Sequence, residues 1–445
     1  MAREKLHVLE VCRSFPYHQP GGLEWHALDV VEGLMDAGAK VSVLTTSLPG
    51  ARAGLAPLRV NGAVHALGRK QGHYSIEFFR RLAGTVAWIS RRERVDIVHA
   101  QGFAGVPLGL ASGLPPVVTT IHGTLWSETP LRPSLAASLP PAERLRLYWR
   151  YKHRLAFQPL WRRFLAAEPN IVTDSRFTVR ELQRETGMAV AADVVPLGVD
   201  LRRYPQMTKA EARRELAFSQ SETILLLAGR MVPLKGHGFA LRALSYVSNN
   251  PDFAKLEPWR VVVAGDGPER AGLEEACRQY GFGSRVRFLD RVSSDGLARL
   301  FSAADVFLNP DAGSPAFGLV TAEALICGAP VIAADSGATG ELVNDPRDGV
   351  LVPTGGEGIV FERWCDAMRE LHRTHPEPEQ ARLERQERNR ARFHRRVMAY
   401  GLLEVFERAM RSDGMVPYWM QEEDRMPIPG VRVPRKGKKK EEELP

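Results

Sequence analysis

The chain has 445 residues, of which 44% are hydrophobic and 25% are charged, and its formal net charge is +8. This length exceeds one ordinary core and the composition is typical of globular proteins, so we predict two domains and a tail. The positive charge favours an anionic partner such as a phosphorylated substrate or a membrane surface, although a solvated basic face explains it equally well. Only the net charge supports nucleic-acid binding, so we expect no nucleic-acid partner.

The cysteines and the N-terminus indicate a cytoplasmic protein. The four cysteines are far apart and form no C-x-x-C pair, which argues against a disulfide framework and a structural zinc site. The first residues are charged and lead directly into a strand pattern, unlike a signal peptide. The apolar stretch 103–118 is broken by prolines and glycines and falls short of the ~20 residues of a membrane span. The cysteines are Cys12, Cys277, Cys327 and Cys365.

Short apolar runs alternate with helical patterns through the first half of the chain. Ala27, Val30, Val31 and Leu34 recur on one face of a helix, and Gly38 follows where the chain must turn. The predicted strands of this half are 6–11, 41–46, 96–100, 117–121, 171–173 and 194–196.

The second half repeats the alternation of apolar runs and helices. Runs that are apolar on both faces and alternate with helices imply parallel sheets covered by helices. We therefore predict an α/β protein with two doubly wound, Rossmann-like domains that face each other across a cleft. The strands predicted in this half are 224–228, 261–264, 286–289, 306–308, 331–333 and 350–352.

The domain boundaries follow from the same pattern. The first domain is predicted at 1–205 and the second at 206–390, with 200–220 as the linker region. A helix at 391–412 follows, in which segment 392–410 has an apolar face and is expected to pack against a domain. Prolines and charges dominate 413–445, which we predict to be a disordered tail. The apolar face consists of Phe393, Val397, Tyr400, Leu403 and Phe406.

Two cations follow the first strand of the second domain. In open α/β sheets, ligands bind where the carboxyl ends of the strands lead into helices. Arg230 and Lys235 lie on one short loop at such a strand end, between Gly229 and Gly236. Arginine clamps two oxygens and lysine acts as a point charge, which suits a diphosphate. A basic solvent-exposed loop is the alternative interpretation.

A second candidate anion site begins the helix after strand 306–308. The backbone N–H groups near Gly318, Leu319 and Val320 are predicted at the helix N-terminus, where the helix dipole favours an anion. Glu323 follows within the first turns, where its carboxylate is suited to accept hydrogen bonds from the vicinal hydroxyls of a ribose. The alternative is that Glu323 only complements the helix dipole.

The first half contributes weaker signals. Gly21 and Gly22 precede a predicted helix and permit close backbone approach by a phosphate or sugar, and a plain turn is the alternative. His122 ends a predicted strand, where a polar group can meet a sugar hydroxyl or developing charge. Gly265-Asp266-Gly267-Pro268 lacks the third glycine of a dinucleotide fingerprint, so we interpret it as a tight turn near the nucleotide. The sequence contains no D-x-D pair, so we expect no metal.

In this combination the sequence resembles glycosyltransferase family 4, which is retaining and has the two-domain GT-B fold. The resemblance covers most of 6–410, and it implies that a C-terminal helix crosses back onto the first domain. It implies that Arg230 and Lys235 bind the donor diphosphate, that the amides of Leu319 and Val320 contact phosphate and that Glu323 holds the ribose. It also implies that Gly22 admits the diphosphate or the acceptor and that His122 contacts the donor sugar near the reacting carbon. The matching motifs are Gly21-Gly22-x-Glu24, Pro196-x-Gly198-Val199-Asp200, Gly229-Arg230-x4-Lys235-Gly236, Gly265-Asp266-Gly267-Pro268, Ala304-Asp305-Val306, Phe317-Gly318-Leu319-Val320-x-x-Glu323-Ala324 and Gly328-x-Pro330-Val331-Ile332.

Two positions depart from the family pattern. Relatives usually carry a glutamate eight positions before Glu323, and this chain has Pro315 there, with Asp311 and Ser314 as candidates to compensate. Gln101 stands where relatives often carry histidine in a His99-x-His arrangement. The departure at Pro315 keeps a catalytically weakened sugar-nucleotide-binding subunit as an alternative, and a sugar-nucleotide epimerase on the same fold is another.

The expected reaction moves a sugar from a UDP- or GDP-linked donor to an acceptor hydroxyl, with no cofactor. Contexts such as polysaccharide, glycolipid or cell-envelope glycan synthesis fit this reaction. A basic and aromatic helical stretch indicates peripheral contact with an anionic membrane and a lipid-linked acceptor, and an ordinary helix with a basic outer face is the alternative. The stretch contains Arg144, Leu145, Arg146, Tyr148, Trp149, Arg150, Lys152, Arg154, Leu155, Trp161, Arg162, Arg163 and Phe164.

Overall fold

The computed structural model describes residues 5–19, 21–48, 59–125, 140–150, 152–167, 170–355, 358–374 and 376–412. The predicted tail, 413–445, lies outside these residues. Two parallel sheets organise the described chain, each of seven strands.

The first sheet has the strand order β3-β2-β1-β4-β5-β6-β7, and its neighbouring strands are parallel. All six strands predicted for this half are present. The sequence pattern did not predict β3, an edge strand with exposed residues and no continuous apolar run. The strands are β1 His7–Val11, β2 Lys40–Thr46, β3 Val64–Leu67, β4 Ile97–Gln101, β5 Val117–Ile121, β6 Ile171–Thr173 and β7 Asp193–Val194. The helices are α1 Gly22–Asp36, α2 Ile76–Glu93, α3 Gly105–Gly109, α4 Pro141–Arg150, α5 Lys152–Ala167 and α6 Arg176–Thr186.

The second sheet has the order β10-β9-β8-β11-β12-β13-β14, and its pairs are parallel except the antiparallel pair β13–β14. The six predicted strands are again present, and the short β14 was missed. The strands are β8 Thr223–Ala228, β9 Trp259–Ala264, β10 Val286–Leu289, β11 Val306–Asn309, β12 Val331–Asp335, β13 Gly349–Gly355 and β14 Gly358–Ile359. The helices are α7 Lys209–Glu215, α8 His237–Val247, α9 Pro251–Ala254, α10 Arg270–Gln279, α11 Ser294–Ala303, α12 Leu319–Ile326, α13 Thr339–Leu342, α14 Phe361–Arg369, α15 Leu371–Thr374, α16 Glu379–Arg392 and α17 Arg395–Ser412.

Each sheet is buried on both faces, as its sequence pattern predicted. In β1, Val8 belongs to the hydrophobic cluster on one face, whereas Leu9 belongs to the cluster on the other. In β8, Leu225 and Leu226 divide between two clusters in the same way. Because successive side chains of a strand point to opposite faces, helices on both sides are needed to exclude water.

The C-terminal helix crosses back to the first domain, as predicted, but it begins later than expected. Helix α17 starts at Arg395 and packs Met398, Leu402 and Phe406 into the same cluster as α1. Phe393 is the C-cap residue of α16 and packs in the second domain against Phe317, so it does not belong to the face predicted for 392–410. The break between α16 and α17 allows the chain to leave one core and enter the other.

The two segments of chain that pass between the domains lie side by side. The N–H of Val199 donates to the carbonyl of Phe393, and the N–H of Arg395 donates to the carbonyl of Val199. A Cβ at Gly198 would lie 2.6 Å from the Cα of Arg395, so only glycine fits there without displacement of the backbone. This contact explains the glycine of the Pro196-x-Gly198 motif.

The region predicted as a linker, 200–220, belongs from Tyr204 onward to the second domain. Tyr204 is buried in that domain's core, and α7 begins with a capping box formed by Thr208 and Glu211. Arg213 on α7 is buried, and it donates to the carbonyl of Ala303 at 3.0 Å. The sequence did not predict this packing, because its polar residues look the same in sequence whether they are buried and paired or exposed to solvent.

Candidate functional site

The loop after β8 carries the two predicted phosphate-binding cations. Arg230 is exposed, and we find no partner for its guanidinium among the residues that the structure describes. Lys235 is partly buried, and its Nζ lies 2.5 Å from Oδ2 of the buried Asp311. One cation is therefore open to solvent, and the other is held by a carboxylate at the end of β11.

The motif Gly265-Asp266-Gly267 packs against this loop and supports it. A Cβ at Gly265 would lie 2.0 Å from the carbonyl oxygen of Gly229, and one at Gly267 would lie 2.3 Å from that of Met231. The N–H of Met231 also donates to the carbonyl of Asp266 at 2.8 Å. The glycines permit two loops to stack at the sheet edge, which agrees with the predicted tight turn and positions the segment that bears Arg230.

The N-terminus of α12 lies against the N-terminus of α1 across the domain boundary. Gly318 begins α12 in the left-handed region, at φ 96°. The first N–H groups of a helix have no partner within it, so those of Leu319 and Val320 are available to an anion. A Cβ at Gly22 would lie 3.2 Å from Cδ1 of Leu319, so these two predicted residues are brought together.

Gly21 is the N-cap residue of α1 and has an extended backbone, with φ −166°. A Cβ at Gly21 would lie 2.2 Å from Oε2 of Glu24, which is buried beside it. Burial raises the pKa of Glu24, but hydrogen bonds from Gln19 and Ser14 outweigh it, so this pKa lies below its usual value. Glu24 thus stays an acceptor that holds the loop before α1.

Glu323 lies in the second turn of α12 and already has a partner from the protein. The hydroxyl of Tyr204 donates to Oε1 of Glu323 at 2.5 Å. Burial raises the pKa of Glu323 against the opposing effects of this hydrogen bond and of Arg203. Sequence reasoning did not identify Tyr204, because no motif marks a tyrosine that approaches from a distant segment. Its hydrogen bond engages Oε1 of Glu323 and not Oε2.

The loop that contains Pro315 is held at several points. Oδ1 of Asp311 accepts the N–H of Gly313 at 2.9 Å, so with Lys235 on Oδ2 both carboxylate oxygens are engaged. The carbonyl of Pro315 accepts the N–H of Ala338 at 2.8 Å. Ser314 has a positive φ of 52°. Asp311 therefore serves the lysine of the donor loop in this structure, and it is not a free substitute for the missing glutamate.

The structure places His122 at the end of β5, with its ring directed into the first domain. Its Nε2 lies 3.1 Å from Oε1 of Gln101, and its Nδ1 lies 3.6 Å from Oδ2 of Asp174. The ring also makes an edge contact with His26, with 4.7 Å between the ring centroids. Both ring nitrogens thus face protein groups, and the sugar contact expected for His122 stays a prediction.

A set of interdomain contacts joins α6 to the second domain. The Oγ of Ser175 donates to the carbonyl of Ala316 at 2.5 Å. Glu341 accepts the N–H groups of Arg176 and Phe177 at 2.9 and 2.7 Å, so its carboxylate caps the N-terminus of α6. These residues were not identified from the sequence. The signal that the sequence offered was Ser175 in the N-cap position before a helical pattern, which predicts a helix start but no contact with another domain. They tie the N-terminus of α6 in the first domain to Ala316 and Glu341 of the second.

The basic and aromatic stretch divides between surface and core. Leu145, Trp149 and Leu160 are exposed hydrophobic side chains, whereas Trp161 and Phe164 are buried in the first domain. The last two residues are therefore core residues, contrary to the surface role that the stretch suggested. The side chains of Tyr148, Arg150, Lys152 and Leu155 lie outside the described residues.

Neither a candidate metal centre nor a membrane-spanning helix occurs among the described residues. In that part of the chain, no group of three or more His, Cys, Asp or Glu side chains is arranged to hold a metal ion. None of the helices described there is both long enough and apolar enough to cross a bilayer. The four cysteines are buried and free.

Two family models match the chain, one in each half. The model described as "Glycosyltransferase Family 4" matches residues 20–203, and the one described as "Glycosyl transferases group 1" matches residues 222–373. The first range contains six of the seven strands of the first sheet, without β1, and the second contains all seven strands of the second sheet.

Several curated relatives share one name. The D-inositol 3-phosphate glycosyltransferase of Rhodococcus jostii is 36% identical over 186 residues, which cover 40% of this chain and 39% of the relative. The protein of the same name from Segniliparus rotundus is 32% identical over 271 residues, 58% of each chain. The match thus spans only about two fifths of the length of the first relative.

Solved structures show the same fold. Sucrose-phosphate synthase from Thermosynechococcus elongatus superposes with a TM-score of 0.68 at 19% identity, covering 92% of this chain and 100% of that one. HepE from Anabaena, solved in complex with UDP and glucose, gives a TM-score of 0.64 at 20% identity, covering 91% and 100%. At these identities the likeness concerns the fold alone.

Proposed function

The chain belongs to glycosyltransferase family 4 and has the GT-B fold, and on this premise we propose that it transfers a sugar from a UDP- or GDP-linked donor to an acceptor hydroxyl with retention. The observation that carries the proposal is the cluster at the carboxyl edge of the second sheet. There Arg230, Lys235 and the N-terminus of α12 offer positive charge and free N–H groups beside Gly22 of the first domain.

The mechanism we propose relies on electrostatic stabilisation of the leaving group. The diphosphate gains negative charge as the glycosidic bond breaks, and Arg230, Lys235 and the amides of Leu319 and Val320 stabilise that charge. Glu323 holds the ribose through Oε2 while Tyr204 fixes Oε1. The acceptor attacks from the face that the diphosphate leaves, and the leaving phosphate takes the acceptor proton. Beyond donor and acceptor, this scheme needs no resident metal or cofactor.

We propose an anionic, phosphate-bearing acceptor bound by the first domain. Arg13 follows β1; its side chain is 40% exposed, and its Nη2 lies 3.1 Å from Oε1 of Glu24. Arg69 and Lys70 are exposed after β3. These cations therefore lie after strands of the first sheet, at its carboxyl edge. The relatives' name includes D-inositol 3-phosphate, which is an acceptor of this chemistry.

We also propose a cytoplasmic protein that binds peripherally to an anionic membrane, through which it reaches a lipid-linked acceptor. The exposed Leu145 and Trp149 lie one helical turn apart on α4, and Arg146 is exposed beside them. Apolar side chains flanked by cations suit the interface of an anionic bilayer. Vesicle flotation tests this proposal: Trp149→Ala should reduce binding to anionic vesicles, whereas Trp88→Ala, at an exposed tryptophan on α2, should not. Binding that does not depend on anionic lipid contradicts it.

A donor screen tests the transferase proposal. UDP-, GDP- and ADP-sugars are tested for binding by calorimetry and for turnover by product analysis, with wild type, Arg230→Ala and the control Arg278→Ala. Loss of a charge-assisted hydrogen bond costs about 1.5–3 kcal/mol, so we expect Arg230→Ala to bind the donor roughly 10- to 150-fold more weakly. Arg278 is exposed on α10, so Arg278→Ala should leave donor binding and turnover unchanged.

The outcomes of the screen separate the alternatives. Donor binding without turnover supports a binding subunit, and a new epimer formed without acceptor supports an epimerase. If no donor binds and Arg230→Ala changes nothing, the transferase proposal fails.

A further inference from the structure

A buried hydrogen-bonded network lies beneath the end of β5. Glu10 on β1 and His99 on β4 are completely buried, and Gln101 at the end of β4 is nearly so. Nδ1 of His99 lies 2.6 Å from Oε2 of Glu10, and Nε2 of His99 lies 2.7 Å from the hydroxyl of Thr120. Most buried polar groups are hydrogen-bonded, and a satisfied network of this kind holds its members in one arrangement.

Gln101 connects this network to His122. Its Nε2 lies 2.6 Å from Oε1 of Glu10, and its Oε1 lies 3.1 Å from Nε2 of His122. An amide nitrogen can only donate and an amide oxygen can only accept. The opposite amide orientation would place its oxygen against the carboxylate of Glu10. Gln101 therefore donates to Glu10 and accepts from His122, which requires a proton on Nε2 of His122.

The other side of the His122 ring is enclosed. Nδ1 is buried without a hydrogen-bond partner, and Oδ2 of Asp174 lies 3.6 Å from it, beyond hydrogen-bonding distance. The edge of the ring packs on His26. Oδ1 of Asp174 is engaged by the hydroxyl of Thr178 at 2.9 Å. The contact with Gln101 is thus the hydrogen bond that orients the ring.

The residues after His122 contact the second domain. Gly123 has a φ of 154°, and with Thr124 it lines a small cavity together with Ser314 and Ala316 of the loop 310–318 in the second domain. The end of β5 therefore shares a small cavity with the second domain, within two residues of His122 along the chain.

We propose that Gln101 is a positioning residue that holds His122 in the Nε2-protonated tautomer and fixes the end of β5 beside the loop 310–318. This inference rests on the proposed function for its effect on catalysis, but the tautomer itself is independent of activity. A glutamine does not titrate, so it imposes one hydrogen-bond direction on His122, which a histidine at this position would not do.

Nitrogen NMR tests the proposal on the full chain labelled with ¹⁵N-histidine. Long-range ¹H–¹⁵N correlations distinguish the two tautomers, and the His122→Asn variant identifies the signals of His122. We expect wild type to show the Nε2-protonated form and Gln101→Leu to show a mixture of tautomers. The control Thr120→Val removes the hydrogen bond between Thr120 and His99 and should leave the His122 signals unchanged.

Kinetics give the second readout. We expect Gln101→Leu to lower kcat by roughly 10- to 100-fold with a donor KM within about threefold of wild type. The reason is that His122, which is expected to contact the donor sugar near the reacting carbon, is then misplaced, and misplacement of such a group affects the transition state more than ground-state binding. Should Gln101→Leu fail to fold, the unbranched Gln101→Met removes the same two hydrogen bonds, and the tautomer in wild type remains decisive.

The outcomes distinguish failure of this inference from failure of the proposed function. An Nδ1-protonated His122 in wild type, or an unchanged tautomer in Gln101→Leu, overturns the positioning role. The expected tautomers without any sugar transfer sustain the positioning of the ring and defeat the transferase proposal.

Discussion

Tyr204→Phe tests whether the donor site depends on a hydrogen bond from outside its motifs. The variant removes the hydroxyl that donates to Oε1 of Glu323 at 2.5 Å, and it keeps the ring in the core. A hydrogen bond to a charged group contributes about 1.5–3 kcal/mol. For a domain of roughly 150–250 residues, each kcal/mol shifts Tm by about 2–4 °C, so we expect a decrease of roughly 3–12 °C.

Calorimetry of thermal unfolding measures this effect. The relevant transition is the one whose Tm rises when a nucleotide is added. Tyr246→Phe is the control, because Tyr246 lies on the surface, 63% exposed, and retains its contact with Phe361 when only the hydroxyl is removed. We expect the control to change stability by less than about 0.5 kcal/mol. If Tyr204→Phe and the control unfold at the same temperature, the hydrogen bond to Glu323 has no net effect and its predicted contribution is refuted.

Three further predictions concern charged groups. Burial raises the pKa of Asp29 to about 7 despite Arg203, so the folded state binds the proton more tightly than the unfolded chain, whose pKa is near 3.8. Wild type should therefore lose roughly 3 kcal/mol relative to Asp29→Asn between about pH 5 and pH 8, and a constant difference in urea unfolding contradicts this. Glu341→Ala removes the carboxylate that caps α6 from the other domain, so we expect the two domains to separate and the radius of gyration in X-ray scattering to rise. The control Glu362→Ala, at an exposed residue, should leave the radius unchanged. Equal radii for the two variants contradict the capping role of Glu341. Lys235→Met should weaken UDP binding by roughly 10-fold or more, as measured by calorimetry, and should destabilise the domain because the buried Asp311 loses its counter-charge. In unfolding measurements, adding Asp311→Asn should restore stability, whereas calorimetry should show that UDP binding is not restored.

The local parts of the fold could be predicted from the sequence because they depend on local pattern. All twelve predicted strands are present, since strands buried on both faces need continuous apolar runs. The strand β3 was missed because it lies at an edge and exposes alternate residues. The break before Arg395 was missed because Phe393 continues the apolar period of the helix while packing in the other domain.

The donor loop was also visible in the sequence, because its glycines and cations lie close together along the chain. Gly229, Arg230 and Lys235 are neighbours in sequence, and Gly265 and Gly267 mark the turn that stacks beneath them. Residue types with special backbone freedom or charge are informative at such short spacing.

Only the tertiary structure decided which groups each of these residues meets. Glu323 receives Tyr204 from 119 positions away, Lys235 meets Asp311 across 76 positions, and His122 is oriented by Gln101, which lies on the neighbouring strand. Such partners are selected by the order of strands in the sheets and by how the two domains approach each other. Local pattern determines where a strand ends, but the partner of a side chain there depends on contacts between segments that are distant in the chain.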